Sequence, residues 1–192
     1  MNNHLRTAGM PALEGEQQIA SEANNRSDIY VARQPIFNAR TELYAYELLF
    51  RNGDENQASI TDGNAASSQV ILNAFVDMNF QAIARYHPVF INLTRDFIVG
   101  DLPLPMAPES LVIEIPEDID VDAHLLEVLK GFANKGYTLA VNNFTLEEHK
   151  LPLLKLVNII KIDLQRCDRD NLPDFVNRLQ PYGVRLLAEK IE

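Results

Sequence analysis

The chain has 192 residues, of which 46% are hydrophobic, with 17 basic and 27 acidic side chains and a formal net charge of −10. That length and composition fit one folded domain with a real core and exclude a disordered chain. The acidic balance argues against sequence-independent nucleic-acid binding, which runs on Lys and Arg.

Cys167 is the only cysteine, so no intrachain disulfide can form, which suits a reducing, cytoplasmic setting. No run has the length and apolarity of a signal peptide core or a membrane span. His4, His87, His124 and His149 are scattered without ligand spacing and are read as solvated or structural.

In chain order, residues 1–27 lack sustained periodicity and are expected to form a flexible tail; the folded domain is expected over 28–192. Two β-prone runs, 29–37 and 42–51, flank the short polar turn "NART" and predict a hairpin. "NGDENQ" reads as a loop. Over 64–84, Val70, Ile71, Ala74, Phe75 and Met78 fall at helical intervals and predict an amphipathic helix.

An alternation follows. Strands are predicted over 88–92, 110–115, 137–142, 158–164 and 184–191. Between them lie a short helix or turn in "TRDFIVGDLP", a helix from Asp122 to Lys135, a short helix in "LPLLKLV" and a helix from Pro173 to Leu179. Asp122 is a fitting N-cap, Gly136 a fitting stop, and Pro173 suits a first turn. Short apolar strands alternating with helices predict an α/β fold with a parallel sheet covered by helices.

Each strand ends in a polar side chain: Asn92, Glu114, Asn142 with Asn143, Lys161 with Asp163, and Glu189. In a parallel sheet these C-terminal ends share one face, where α/β barrels and open α/β sheets carry their sites. A succession drawn from Asn, Glu, Lys and Asp favours a functional site there. Single residues also have plainer roles: Asn142 and Asn143 can cap a turn, Asp163 can pair with Lys161, Arg51 can bond a loop carbonyl, and Gln34 a neighbouring strand.

The motifs "ELLFR" (47–51), "FINLT" (90–94), "VIEIPE" (112–117), "AVNNF" (140–144), "IIKIDL" (159–164) and "LLAEKIE" (186–192) resemble, in order and spacing, an EAL domain. The stretch "ARQPIFNARTELYAYELLFRNG" is most similar to the divergent EAL domains fused to HDOD modules. The resemblance covers 29–192. It implies an α/β fold of modified (β/α)₈ TIM-like barrel type with an early antiparallel strand, incomplete at the C-terminal end. An open barrel of this kind exposes a strand edge and apolar surface, from which self-association is expected.

The family's activity is metal-dependent hydrolysis of cyclic-di-GMP. By resemblance, Glu47, Asn92 and Glu114 match metal ligands, Lys161 and Glu189 match catalytic positions, Arg51 matches a phosphate contact and Gln34 a guanine contact. Asp163 stands beside Lys161, and Asn142 and Asn143 replace an aspartate pair that holds two metals. Hard Mg²⁺ or Mn²⁺ ions need carboxylate oxygen, so the expectation is a degenerate site with Lys161 and Glu189 vestigial, and no cofactor.

Three readings stay open: a non-hydrolytic signalling module acting through a protein or HDOD partner, a weak phosphodiesterase using Mg²⁺ or Mn²⁺, and a metal-independent cyclic-di-GMP receptor. In the receptor, Gln34, Arg51, Asn142, Asn143 and Asp163 would face the ligand. Without metals, Glu47, Glu114 and Glu189 are expected to stand uncompensated and repel an anion.

Overall fold

The computed structural model describes residues 29–52, 84–100, 104 and 106–191. The expected tail over 1–27, the loop "NGDENQ" beyond Asn52 and the helix over 64–84 lie outside these residues, apart from Ala84, which is buried in a turn. The described elements run β1 (Ile29–Phe37), β2 (Leu43–Asn52), β3 (Val89–Asn92), α1 (Arg95–Val99), β4 (Leu111–Ile115), α2 (Ala123–Asn134), β5 (Thr138–Asn142), β6 (Ile159–Asp163), α3 (Leu172–Leu179) and β7 (Arg185–Glu189).

Among the described residues one curled sheet has seven strands in sequence order. The β1–β2 pair is antiparallel, as the predicted hairpin requires, and every later pair is parallel. Consecutive parallel neighbours, with helical segments in the crossovers from β3 onward, are the half-barrel form of a β/α barrel. Neither β1 nor β7 has a second strand partner among the described residues, and Leu186 on β7 is 41% exposed.

Alternation along the strands divides the core in two. Val89, Ile91, Ile113, Leu139, Val141 and Ile160 pack outward against the helices. Ile36, Ala45, Phe90, Val112, Ala140 and Ile159 pack inward on one another, with Leu187 against them.

Helix signals in the sequence act as expected. Asp122 Oδ1 accepts the Leu125 N–H at 2.7 Å and opens α2. Its other oxygen pairs with Arg95, the first residue of α1. Leu125, Leu129 and Phe132 form the buried stripe of α2. The helix stops at Gly136, whose φ of 91° an L side chain rarely adopts. A Cβ there would meet the Pro108 Cβ at 3.6 Å, an ordinary contact. Gly136→Ala is therefore expected to lower stability by about 1–2 kcal/mol through the backbone alone, measurable as a lower urea midpoint at unchanged m-value.

The segment "LPLLKLV" differs from its expected α-helix. Glu148–Lys155 is 3₁₀, with Pro152 inside it. Proline has no N–H to give and clashes with the preceding turn, so the tighter, shorter helix prevails. No helix among the described residues is long and apolar enough to cross a membrane.

Candidate functional site at the mouth of the half-barrel

The inward-facing layer explains how the site is assembled. Successive residues on a strand alternate faces, so the residue two places beyond an inward apolar side chain also faces inward, one layer nearer the C-terminal end. Ala45 is followed in this sense by Glu47, Phe90 by Asn92, Val112 by Glu114, Ala140 by Asn142, Ile159 by Lys161 and Leu187 by Glu189. On β1 the direction reverses: Ile36 lies opposite Ala45 and Gln34 opposite Glu47. One polar layer thus sits on one apolar layer, and the register places Asn92 beside Glu114 and Asn142 beside Lys161.

Lys161 is the centre of this layer. It is 1% exposed. Its ammonium lies 2.9 Å from Glu114 Oε1, 3.1 Å from Glu47 Oε2 and 2.7 Å from Glu189 Oε1. The three carboxylates expected to stand uncompensated therefore share one buried cation. Burial of Lys161 favours its neutral form, but Glu114, Glu47 and Glu189 outweigh that and hold it charged, its pKa well above the ordinary lysine value. Burial pushes the Glu114 carboxyl up to about 7; Lys161 works against that shift, and Glu47 and Glu189 add to it. The ammonium is secure while Glu114 sits near its protonation midpoint at neutral pH, because one cation divided among three carboxylates does not fully offset the desolvation of the deepest of them.

Asp163 does not pair with Lys161. Its Oδ2 accepts from the Lys190 ammonium at 2.5 Å, and its Oδ1 accepts the Gln165 and Arg166 N–H groups at 2.9 and 3.3 Å. The Lys190 bond, then those backbone bonds, hold its carboxyl below the usual aspartate range. Lys161 and Asp163 are two residues apart on β6, yet each has its own partner from the neighbouring chain segment: Glu189 at the end of β7 for Lys161, and Lys190 just beyond it for Asp163.

The paired asparagines are also more than a turn. Asn142 Nδ2 donates to Asn92 Oδ1 at 2.8 Å, reaching across β4. Asn143 Nδ2 donates to Glu117 Oε2 at 2.6 Å, and its Oδ1 accepts the Asp163 N–H at 3.0 Å. Asn143 has φ 43°, a left-handed conformation that Asn tolerates better than most residues. Glu117 is gripped further by both guanidinium nitrogens of Arg166, at 2.9 and 3.0 Å, and its carbonyl accepts from Lys150 at 3.0 Å. Arg166 and then Asn143 hold the Glu117 carboxyl below its usual range.

Glu117, Arg166, Lys150 and Lys190 were not singled out by sequence reasoning. The one signal for Glu117, Arg166 and Lys190 is position, each lying within three residues of a strand end, whereas Lys150 lies in the 3₁₀ segment Glu148–Lys155. Of the sequence-derived candidates, Gln34, Glu47, Asn142, Asn143, Lys161 and Glu189 line one cavity of about 400 Å³ together with Lys190. Glu114 lies beneath it, Asn92 joins it through Asn142, and Asp163 joins it through Lys190. Arg51 lies on β2 opposite Tyr30.

A pair of hard divalent ions does not fit this donor set. The space among Glu47, Glu114 and Glu189 holds an ammonium, the Asn92 acceptor is engaged by Asn142, and Asn143 is committed to Glu117 and the β6 backbone. Among the described residues no three His, Cys, Asp or Glu side chains are grouped to hold a metal. Glu114 Oε2 and Asn142 Oδ1 are buried acceptors without a hydrogen-bond partner. A proton on Glu114 would turn one of the two into a donor.

Comparison with known proteins agrees with this architecture. No family model matches the chain. It is 35% identical over 172 residues to the Bacillus subtilis (strain 168) uncharacterized protein YuxH, covering 85% of this chain and 41% of the relative. It is 32% identical over 166 residues to the Vibrio cholerae serotype O1 cyclic di-GMP phosphodiesterase CdgJ, covering 85% and 38%. The chain thus spans about two fifths of the length of these curated relatives. Among solved structures it resembles the Bacillus subtilis YkuI protein, with an EAL domain, in complex with substrate c-di-GMP and calcium. That likeness has a TM-score of 0.64 at 20% identity and covers 94% of this chain and 51% of YkuI. The antiparallel first strand and the polar layer at the strand ends, in a chain that superposes on YkuI at this TM-score, give this chain the fold of an EAL domain.

Proposed function

We propose that this chain is a cyclic-di-GMP signalling module in which hydrolysis has been given up and the signal passes to a protein partner, such as an HDOD module. The observation that carries the reading is the Lys161 ammonium among Glu47, Glu114 and Glu189. Hydrolysis of a phosphodiester by this fold calls for two dications, about 3.5–4 Å apart, that activate water and neutralise developing charge. Here a lysine ammonium already occupies the space among the carboxylates that would recruit them, and amides stand at 142 and 143. The layer is held together without metal, which is what a module needs when its task is shape rather than turnover.

The test is direct. The chain is incubated with cyclic-di-GMP and Mg²⁺ or Mn²⁺, and linear product is separated by chromatography. Product no greater than that of Glu47→Ala is expected; clear turnover above that control would overturn the reading.

A second reading, metal-independent binding of the cyclic dinucleotide, is favoured by the cavity itself. Gln34, Asn142, Asn143 and Lys190 line one mouth. With Lys161 paired, the acidic layer beneath repels an anion less than bare carboxylates would. Calorimetry in EDTA is expected to give a binding isotherm unchanged from that in Mg²⁺. Absence of heat under both conditions would leave the protein-interaction reading alone.

A further inference from the structure

We propose that Lys190 is a ligand-binding residue of this mouth, leaving Asp163 to hold a phosphate of a bound cyclic dinucleotide and so supplying the positive charge that divalent cations would otherwise bring. The inference rests on the metal-independent binding reading above.

Of the cations at the mouth, Lys161 is consumed by three carboxylates and Arg166 is locked bidentate on Glu117. Lys190 differs from both. It has a single carboxylate partner, its side chain is 55% exposed, and it lines the same cavity as Gln34, Asn142 and Asn143. Its partner can release it: Asp163 keeps the Gln165 and Arg166 N–H groups when the lysine swings away. The long, flexible stem of lysine suits such a transfer, and its ammonium is a point charge that accepts phosphate oxygens from many directions.

The backbone supplies an independent observation. Lys190 has φ 52°, in the left-handed region that disfavours an unbranched charged residue as it does other side chains. Asn143, which lines the same cavity and accepts the Asp163 N–H, has φ 43°. Two non-glycine residues held in this conformation on either side of Asp163 are the kind of local cost that folds retain where geometry serves a site.

Lys190→Gly removes the ammonium and relieves the strained backbone, so it is not expected to impair folding. Lys190→Asn, a residue type that also tolerates positive φ, guards against a peculiarity of glycine. The chain and both variants are titrated with cyclic-di-GMP in EDTA, with urea unfolding run in parallel. The expected result is at least a tenfold weaker Kd in both variants at a urea midpoint close to that of the parent, with Lys190→Arg binding within a few-fold of it. Parent-like binding by Lys190→Gly and Lys190→Asn would overturn the role of Lys190 while leaving metal-independent binding intact. Failure of the parent chain itself to bind in EDTA would overturn both together.

Discussion

Lys161→Ala is expected to destabilise the domain by about 3–5 kcal/mol, the penalty for removing one partner of a buried ion pair. The alanine leaves Glu114, which is 0% exposed, facing Glu47 and Glu189 without the ammonium they share. Replacement of the one cation that the three carboxylates share among the described residues affects β2, β4, β6 and β7 at once, so loosening at the barrel mouth should accompany the loss. Urea denaturation at pH 8 measures it; a cost below about 1 kcal/mol would show that the carboxylates find other partners or solvent.

The pH dependence adds a check on the same cluster. Glu114 has a folded pKa of about 7, above its unconstrained value of 4.5. A group raised on folding contributes stability that is fully present below the unfolded pKa and is lost as pH rises through the folded one. The unsubstituted chain should therefore lose stability as pH rises from about 4.5 to about 7. The shift corresponds to about 3 kcal/mol at most, and about 1–2 kcal/mol is expected after relaxation of the site. The other shifted groups leave this window clear. The Lys161 contribution fades only well above neutrality, and Glu117 and Asp163, both depressed, lose theirs only in acid. In Lys161→Ala the slope should steepen, because Glu114 then takes up a proton more strongly and acid relieves part of the defect. A flat profile in both proteins would sink this account of the cluster.

Asn142→Asp and Asn143→Asp are expected to behave in opposite ways, although the two residues are adjacent and chemically identical. At 142 the amide donates to Asn92, whose own amide can turn and donate to a carboxylate instead. The fold should tolerate the acid, and one charge at about 4 Å contributes roughly 4 kcal/mol at an effective dielectric near 20. With half of that lost to relaxation, Mn²⁺ affinity should rise by about thirtyfold. At 143 the amide donates to Glu117 at 2.6 Å. A carboxylate there would oppose an acceptor to an acceptor, costing about 1–2 kcal/mol after screening at this partly exposed position. Glu117 would be driven off Arg166 before any metal was gained. Pairing Asn143→Asp with Glu117→Gln should restore stability, since the glutamine amide can donate where the carboxylate could not. Calorimetric Mn²⁺ titration and urea unfolding of the three variants read both effects; equal behaviour of the two single variants would show that Glu117 does not discriminate between them.

Much of this molecule is legible in its order of residues. The hairpin at 29–51, the alternation of short apolar strands with helices, the Asp122 cap and the Gly136 stop all follow from local rules, and the structure has each of them. The polar layer is legible for the same kind of reason. Alternation on a strand has a period of two, and parallel register brings strand ends to one level, so Asn92, Glu114, Asn142, Lys161 and Glu189 had to converge once the sheet was parallel. The segment 148–155 shows where a local rule was underweighted: Pro152 was sufficient to favour a 3₁₀ helix over an α-helix.

What sequence alone could not decide is who pairs with whom inside that layer. Lys161 meets Glu47 from 114 positions away and across three intervening strands, a contact that exists only because the sheet curls. Asp163 goes to Lys190, the residue just past β7, rather than to Lys161, and separate loops bring Arg166 to Glu117 and Glu117 to Asn143. Register is a property of neighbouring strands and is written in the pattern of each. Charge pairing in a closed mouth depends on the distances between non-neighbouring strands, which twist and packing of the whole sheet set together. The residues of the site were therefore determined by the chain, and their electrostatics by the fold.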